Sequence, residues 1–272
     1  MLNPIDAESI KLLTLLIRQH NSFCHSIINE IQNSERLSVS GFDKLDKTRL
    51  SIFGISHSAT TIDVLLSSDS DFQNRSLYSY EIHQLLDTVS AAVTNILRPF
   101  YKPLISCSYR LADENSTVTV DRTAFELIIF NILNYCFRKS NRKCRTEMRV
   151  KETKKSFIIS IFNTNAPEVP QLFSKAIESL PGIFSTTTDT DSIYLISAQR
   201  IAESAMYRLR YKHLKGTNLY SITIPKQVVA VARDAEIYEI NRELLLECFA
   251  DTILHFSKGE NHDNPNLCAN RS

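Results

Sequence analysis

Glycine is scarce in this sequence, with five residues in 272, whereas average usage near 7% would give about 19. The five are isolated from one another, at Gly41, Gly54, Gly182, Gly216 and Gly259. A loop that cradles phosphate groups needs glycine, because backbone nitrogens must approach the ligand closely and φ becomes positive there. The sequence therefore excludes a P-loop and the glycine fingerprint of dinucleotide-binding proteins.

Long apolar runs, an excess of one charge and paired cysteines are also missing. No apolar run approaches the roughly 18 residues of a membrane-spanning helix, and the amino-terminal segment carries acids where a signal peptide carries bases. We therefore expect a cytoplasmic protein. The net charge of +1 gives no reason to predict a nucleic acid or a membrane as partner. None of the six cysteines forms a Cys-x-x-Cys pair, so we expect reduced thiols and no metal site.

The first 66 residues have the periodicity of two long helices. Asn3 and Pro4, followed by acids, predict a helix start, and this helix is predicted to run to about residue 35. Its apolar stripe comprises Leu13, Leu16, Phe23, Ile27 and Ile31. A second helix is predicted from about residue 43 to 66, which makes a helical hairpin. One hairpin leaves an apolar face uncovered, so we predict a homodimer in which two hairpins form a four-helix bundle.

A Ser- and Asp-rich segment at 67–74 is the predicted linker. Beyond it, the apolar pattern predicts helices at about 81–97, 121–137, 171–179, 192–206 and 235–256. Strands are predicted at about 105–111, 118–120, 146–152, 156–162, 207–213, 218–224 and 228–232. The predicted fold class is α+β, a helical hairpin followed by a two-layer α/β sandwich. We predict three units: residues 1–70, residues 75–226, and a C-terminal extension at 227–272 that has one helix and a disordered tail.

Four stretches between about residues 20 and 225 resemble, in order and spacing, the motifs of bacterial sensor histidine kinases. They are the segment 23–31 around His25, the segment 120–140 with a helix headed by Asp121, the segment 160–167 and the segment 192–225. The resemblance implies a dimerising hairpin that carries a phosphoacceptor histidine, followed by an ATP-binding domain of the Bergerat class, which includes gyrase and Hsp90. His25 falls at the position of the phosphoacceptor, and Ser26 replaces the acid that follows it in the family.

The departures from the family fall on the positions that contact ATP and Mg²⁺. After Asn131, Tyr135 replaces the second Asn of the Asn box, and a phenol is a poor magnesium ligand. Asn163 replaces the acid that reads adenine. The family's glycines are replaced by Asn165, Ser192 and Tyr194. We therefore predict that these six residues mark a vestigial pocket that binds no ATP and no other cofactor.

Two histidines of the first helix are interpreted differently. His25 lies on the polar side, and we expect a solvent-facing imidazole that is either simply solvated or the phosphoacceptor. His20 shares the apolar stripe, so we expect it to pack inside the bundle. A basic cluster at 138–145 is either a solvated helix end or a docking surface for an acidic partner.

These observations lead to a predicted function and two alternatives. The prediction is a degenerate histidine-kinase-like protein of two-component signalling, which acts without ATP as a phosphotransfer relay or a regulatory partner. In the relay, His25 exchanges a phosphoryl group with a response-regulator receiver domain. The alternatives are an active sensor kinase with divergent ATP motifs, and a dimeric scaffold without phosphorus chemistry.

Overall fold

The computed structural model describes residues 4–33, 39–66, 77–99, 104–139, 145–164, 192–226 and 235–259. The helices are α1 (Pro4–Gln32), α2 (Val39–Leu66), α3 (Ile82–Leu97), α4 (Arg122–Lys139), α5 (Ser192–Ser204) and α6 (Arg242–Gly259). The strands are β1 (Leu77–Glu81), β2 (Leu104–Arg110), β3 (Thr117–Asp121), β4 (Arg145–Glu152), β5 (Ser156–Thr164), β6 (Arg208–Leu214) and β7 (Thr217–Pro225). The predicted α+β class is confirmed.

The two N-terminal helices, α1 and α2, pack along each other. Ile28 on α1 is buried, as are Ile52 and Phe53 on α2. Within this apolar contact, the Asn21 side-chain amide donates a hydrogen bond to the Ser56 hydroxyl over 2.8 Å. A buried polar pair is costly unless its members meet, so this bond fixes how the two helices align.

Five strands form a mixed sheet in the order β2-β4-β5-β7-β6, in which β2 and β4 are parallel and the other neighbours are antiparallel. Along β5, buried side chains alternate with half-buried ones, as expected for a sheet that has one covered face. The helices α3, α4 and α5 pack on the covered face, where Phe130, Ile159 and Tyr220 are fully buried. This arrangement is the predicted two-layer sandwich.

The C-terminal helix α6 joins the same core. Phe249 packs against Phe130, with ring centroids 6.0 Å apart, and the Asn134 side chain donates to the backbone oxygen of Cys248 over 2.9 Å. The helix begins at Arg242, later than predicted, because the Asn241 side chain caps it by accepting a hydrogen bond from the backbone nitrogen of Leu244.

One strand, β1, is missing from the sequence-based prediction. It pairs with β3, whose residues come much later in the chain, with Leu77 opposite Asp121. Such a pairing leaves little local signal, since five residues are too few to show a clear period.

The predicted helix at 171–179, the strand at 228–232 and the tail beyond residue 259 lie outside the described residues. No helix in the described part of the chain has the length and hydropathy that a membrane crossing requires.

Candidate functional site

A cleft of about 760 Å³ lies between α1, α2 and α6. Its walls include His25 from α1, Arg49 and Phe53 from α2, and Glu243 and Glu247 from α6. The cleft therefore brings an imidazole, a guanidinium and two carboxylates together. Because α6 supplies one wall, the C-terminal helix belongs to the site as well as to the core.

The imidazole of His25 is half-buried rather than solvent-facing. It packs against the Phe53 ring, with centroids 4.2 Å apart, and its Nε2 is buried without a hydrogen-bond partner among the described residues. Burial lowers the pKa of His25 below its ordinary value, the charge of Arg49 lowers it further, and Glu243 opposes both effects. The ring is therefore neutral at pH 7, which is the form that has a free lone pair for nucleophilic attack.

Arg49 is the cation of the cleft. Its guanidinium donates a hydrogen bond to the side-chain oxygen of Asn29, which lies one helical turn after His25 on α1. A guanidinium presents several donors in a fixed fork, a geometry that suits phosphate oxygens. The cleft thus holds a candidate ligand for a phosphoryl group close to the candidate phosphoacceptor.

The apolar stripe of α1 is exposed in the single chain. Phe23 is 63% exposed and Ile27 is 38% exposed. His20 is exposed too, because α2 covers the opposite side of α1, the side of Asn21 and Ile28. The expectation that His20 packs inside the bundle concerns the dimer and stays a prediction.

Four of the residues predicted to mark the vestigial pocket are packed in the interior. Asn131 and Asn163 are fully buried, Tyr135 is nearly so, and Tyr194 is 6% exposed. The Asn131 amide donates to the backbone oxygen of Leu127 on its own helix, over 2.8 Å. These side chains therefore contribute to the core instead of lining an open cavity.

The other two residues of that set are Asn165 and Ser192. Asn165 lies outside the described residues. Ser192 is the first residue of α5, but its side chain lies outside the described part of the chain. The structure thus brings Asn131, Tyr135, Asn163 and Tyr194 to one region of the molecule, and His25 lies apart from them in the cleft.

A second histidine, His57 on α2, lies beside the vestigial pocket. Its ring stacks on that of Tyr194, with centroids 5.6 Å apart and an interplanar angle of 17°. Neither ring nitrogen has a hydrogen-bond partner among the described residues, and the same holds for Oδ1 of Asn131. Burial lowers the pKa of His57 to about 4, although the charge of Asp251 and the side chain of Asn131 act in the opposite direction. His57 is therefore a neutral, buried side chain at the junction of α2 and α5.

Comparisons with known proteins identify the fold of this chain but do not assign the chain to a family. No protein-family model matches the sequence, and no curated protein is significantly similar to it. The Acinetobacter baumannii histidine kinase AdeS superposes with a TM-score of 0.51 at 13% identity, over 75% of this chain and 93% of that chain. Full-length ShkA, solved in complex with AMPPNP, superposes with a TM-score of 0.58 at 13% identity, over 80% of this chain and 45% of that chain. This chain has a histidine-kinase-like fold.

Within the histidine-kinase-like fold, sequence reasoning gave His25 as the candidate residue and did not include His57, Arg49 or the two carboxylates of α6. A signal for His57 was present, because it lies four residues after Phe53 and seven after Leu50, on the apolar stripe of α2. A histidine on such a stripe is expected to be buried. For Arg49, Glu243 and Glu247 there was no such signal, since only the packing of α2 and of α6 against α1 brings them to His25.

Proposed function

We propose that this protein transfers phosphoryl groups in two-component signalling without using ATP, and that His25 is the residue that carries the phosphoryl group. The observation that supports this most directly is the cleft, in which a neutral His25 lies with Arg49 beside about 760 Å³ of open space. An imidazole that is neutral at pH 7 and close to a guanidinium has the two properties that a phosphoacceptor needs, a free lone pair and a counter-charge for the product.

The proposal that ATP is not used rests on the packing around Tyr194. Its ring lies where the resemblance implies a glycine beside the nucleotide, and it is held there by His57 of α2 and Asp251 of α6. Opening a nucleotide pocket would therefore require both helices to move away. In addition, Tyr135 is buried in the core, so it is not available to replace the magnesium-binding amide of the family.

In the proposed reaction, the phosphoryl donor is the aspartyl phosphate of a receiver domain. The lone pair of Nε2 attacks phosphorus, the bond between phosphorus and the aspartyl oxygen breaks, and the aspartate carboxylate leaves. The imidazole ring gains a positive charge and then releases its Nδ1 proton to solvent. Since Nε2 is buried in the present arrangement, the ring must turn about its Cβ–Cγ bond before the attack. The metal ion and acids of the receiver supply the remaining charge stabilisation.

A homodimer is part of the proposal. The exposed strip of α1, which includes Phe23 and Ile27, is apolar and continuous with the helical stripe that the sequence shows. An apolar strip of this kind needs a cover in water, and a second copy of the same helix is the simplest one. The resulting four-helix bundle would present two His25 clefts on one particle.

The test is phosphoryl transfer from a labelled receiver domain, beginning with any receiver encoded beside this protein. We expect acid-labile label on the wild-type protein and none on His25→Ala. His20→Ala is the matched control, because His20 is the other histidine of α1 and does not line the cleft, and this variant should keep the label. Label that persists in His25→Ala and disappears in His20→Ala would contradict the assignment of His25.

A dimeric scaffold is the second candidate, and one observation favours it. The buried Nε2 of His25 and the carboxylates of Glu243 and Glu247 both disfavour a phosphoryl group in the cleft as it stands. A scaffold would bind the receiver without accepting label. Stable binding of a phosphorylated receiver with no transfer to any residue would therefore support the scaffold over the relay.

A further inference from the structure

The uncovered face of the five-stranded sheet carries an unusual set of side chains. The strand register places Arg110, Lys151, Ile158, Thr223 and Arg208 in one row across it. The next row contains Ser108, Arg149, Ser160, Ser221 and Arg210. Residues opposite each other in a sheet share a face, so these rows and the two that follow form one surface, which we call the open sheet face.

The charge of the open sheet face is almost entirely positive. Its cations are Arg110, Arg145, Arg149, Lys151, Arg208, Arg210 and Lys212, all of them exposed. Its one acid is Glu147, which already accepts two hydrogen bonds from Arg149 at 2.8 and 2.7 Å. The net charge of this face is therefore +6, whereas the whole chain carries +1, so all other residues together carry −5. The six remaining cations form no salt bridge with any described residue.

The cations flank a floor that has no charge. The floor is formed by β5 and β7, whose side chains on this face are hydroxyls and apolar groups such as Ser160, Ser221 and Leu219. One flank is formed by β2 and β4, and the other by β6. Since neighbouring strands lie about 4.8 Å apart, the cations of β4 and β6 are about 14 Å apart. An α-helix with its side chains is about 10–12 Å wide, so a helix with acids on both sides fits between the two flanks.

A nucleic acid and a membrane fit this surface less well. Single-stranded nucleic acid needs exposed aromatic rings on which bases stack, but the Phe162 ring is covered by the Arg149 guanidinium, 4.5 Å from its centroid. A long polyanion or an anionic bilayer would extend beyond the open sheet face, and the net negative charge of the other residues would repel it. The charge is therefore matched to a partner of limited size.

We propose that the open sheet face binds an acidic helix of a partner protein. The hydroxyls of the floor provide hydrogen-bonding groups, and the flanking cations provide charge complementarity, which favours fast association and selects against basic partners. The surface is separate from the His25 cleft, which is formed by α1, α2 and α6. A partner helix on the open sheet face would therefore leave the His25 cleft free.

The test uses a labelled helical peptide of about 20 residues, long enough to hold helix, with glutamates along two sides and alanines elsewhere. Fluorescence anisotropy at low and moderate salt measures its affinity for the full chain. The variant Arg208→Thr, Arg210→Thr, Lys212→Thr keeps residues that favour strands and should weaken binding about tenfold, since three exposed charge pairs are lost. The opposite flank is tested separately with Arg110→Thr, Lys151→Thr, which covers the case in which the first variant fails to fold.

The matched control removes three cations elsewhere, in Lys44→Gln, Lys47→Gln, Arg98→Gln, and should bind the peptide like the wild type. An equal loss in this control would overturn the proposal, because net charge alone would then explain the binding. So would the absence of binding to the peptide at low salt. Tighter binding of duplex DNA or of phosphatidylserine vesicles through the same residues would replace the acidic helix with a nucleic acid or a membrane.

Discussion

The phenol of Tyr194 donates a hydrogen bond to Oδ2 of Asp251 over 3.3 Å, which ties α5 to α6. The other oxygen of this carboxylate lies so close to Gly54 on α2 that a Cβ at position 54 would overlap it. Asp251 therefore contacts two helices at once. This explains why a glycine lies in the middle of α2, although it costs about 1 kcal/mol relative to alanine in a helix interior.

The close approach of Gly54 and Asp251 predicts a specific coupling. Gly54→Ala should lower the free energy of unfolding by about 1–3 kcal/mol, because the new methyl group forces Asp251 to move. In an Asp251→Ala background, the same substitution should instead stabilise by up to about 1 kcal/mol, since the space is free and alanine is the better helix former. Denaturant titrations of the four proteins measure the difference. Equal effects in both backgrounds would show that the two residues do not contact each other.

The burial of His57 predicts a pH dependence of stability. Its pKa is 6.5 in the unfolded chain and about 4 in the folded one, so between these values only the unfolded chain binds the extra proton. The free energy of unfolding should therefore fall as the pH is lowered from 7 to 4, by about 3 kcal/mol in total from this residue. His57→Leu should flatten the curve between pH 6.5 and 4.5, as measured by urea titration.

Sequence periodicity was enough to predict most of the elements, because a half-buried strand or an amphipathic helix repeats its burial pattern locally. The strand β5, with its alternation around Ile159 and Ile161, is the clearest example. The start of α6 was predicted too early, because the residues before Asn241 are compatible with a helix. They form no regular helix, because the backbone nitrogen of Glu236 bonds to the oxygen of Ser79 over 2.8 Å.

The candidate site could be predicted only in part, for a related reason. His25 is recognisable from its neighbours in sequence, but its environment depends on Phe53 and Glu243, which come from other helices. The exposure of a side chain on one helix therefore cannot be read from that helix alone. The expectation that the His25 imidazole faces solvent was wrong for this reason.

The packing of Tyr135 and Tyr194 predicts that ATP does not stabilise the protein. A site with a Kd of 10 μM would add about 2.7 kcal/mol of stability at 1 mM ligand. We expect no change in Tm with millimolar Mg-ATP, because the tyrosine side chains fill the space. A shift of several degrees would contradict this and would favour an active kinase. Mg²⁺ alone is the control, since it separates metal effects from nucleotide effects.

The exposed strip of α1 predicts that Ile27 lies in a dimer interface. The wild-type protein should scatter light as twice its chain mass of 31.0 kDa, and Ile27→Asp should scatter as a single chain, because an unpaired carboxylate in an apolar interface costs several kcal/mol. Ile237→Asp is the matched control, since Ile237 is 80% exposed and lies outside α1. A wild-type protein that remains a single chain at all concentrations would rule out this interface.

The effect of Arg49 on His25 predicts a measurable change in a titration. Arg49→Gln removes a positive charge that lowers the pKa of His25, so the pKa of His25 should rise toward its ordinary value while burial still holds it down. The Nε2 and Cε1 signals of the imidazole in an NMR pH titration measure this directly. Lys44→Gln, which removes a cation from the same helix, should leave the His25 titration unchanged.

If Arg49 also binds the phosphoryl group, Arg49→Gln should slow transfer from a receiver even at a pH where His25 is neutral in both proteins. A raised pKa with an unchanged transfer rate would show that Arg49 lowers the pKa of His25 but does not bind the phosphoryl group.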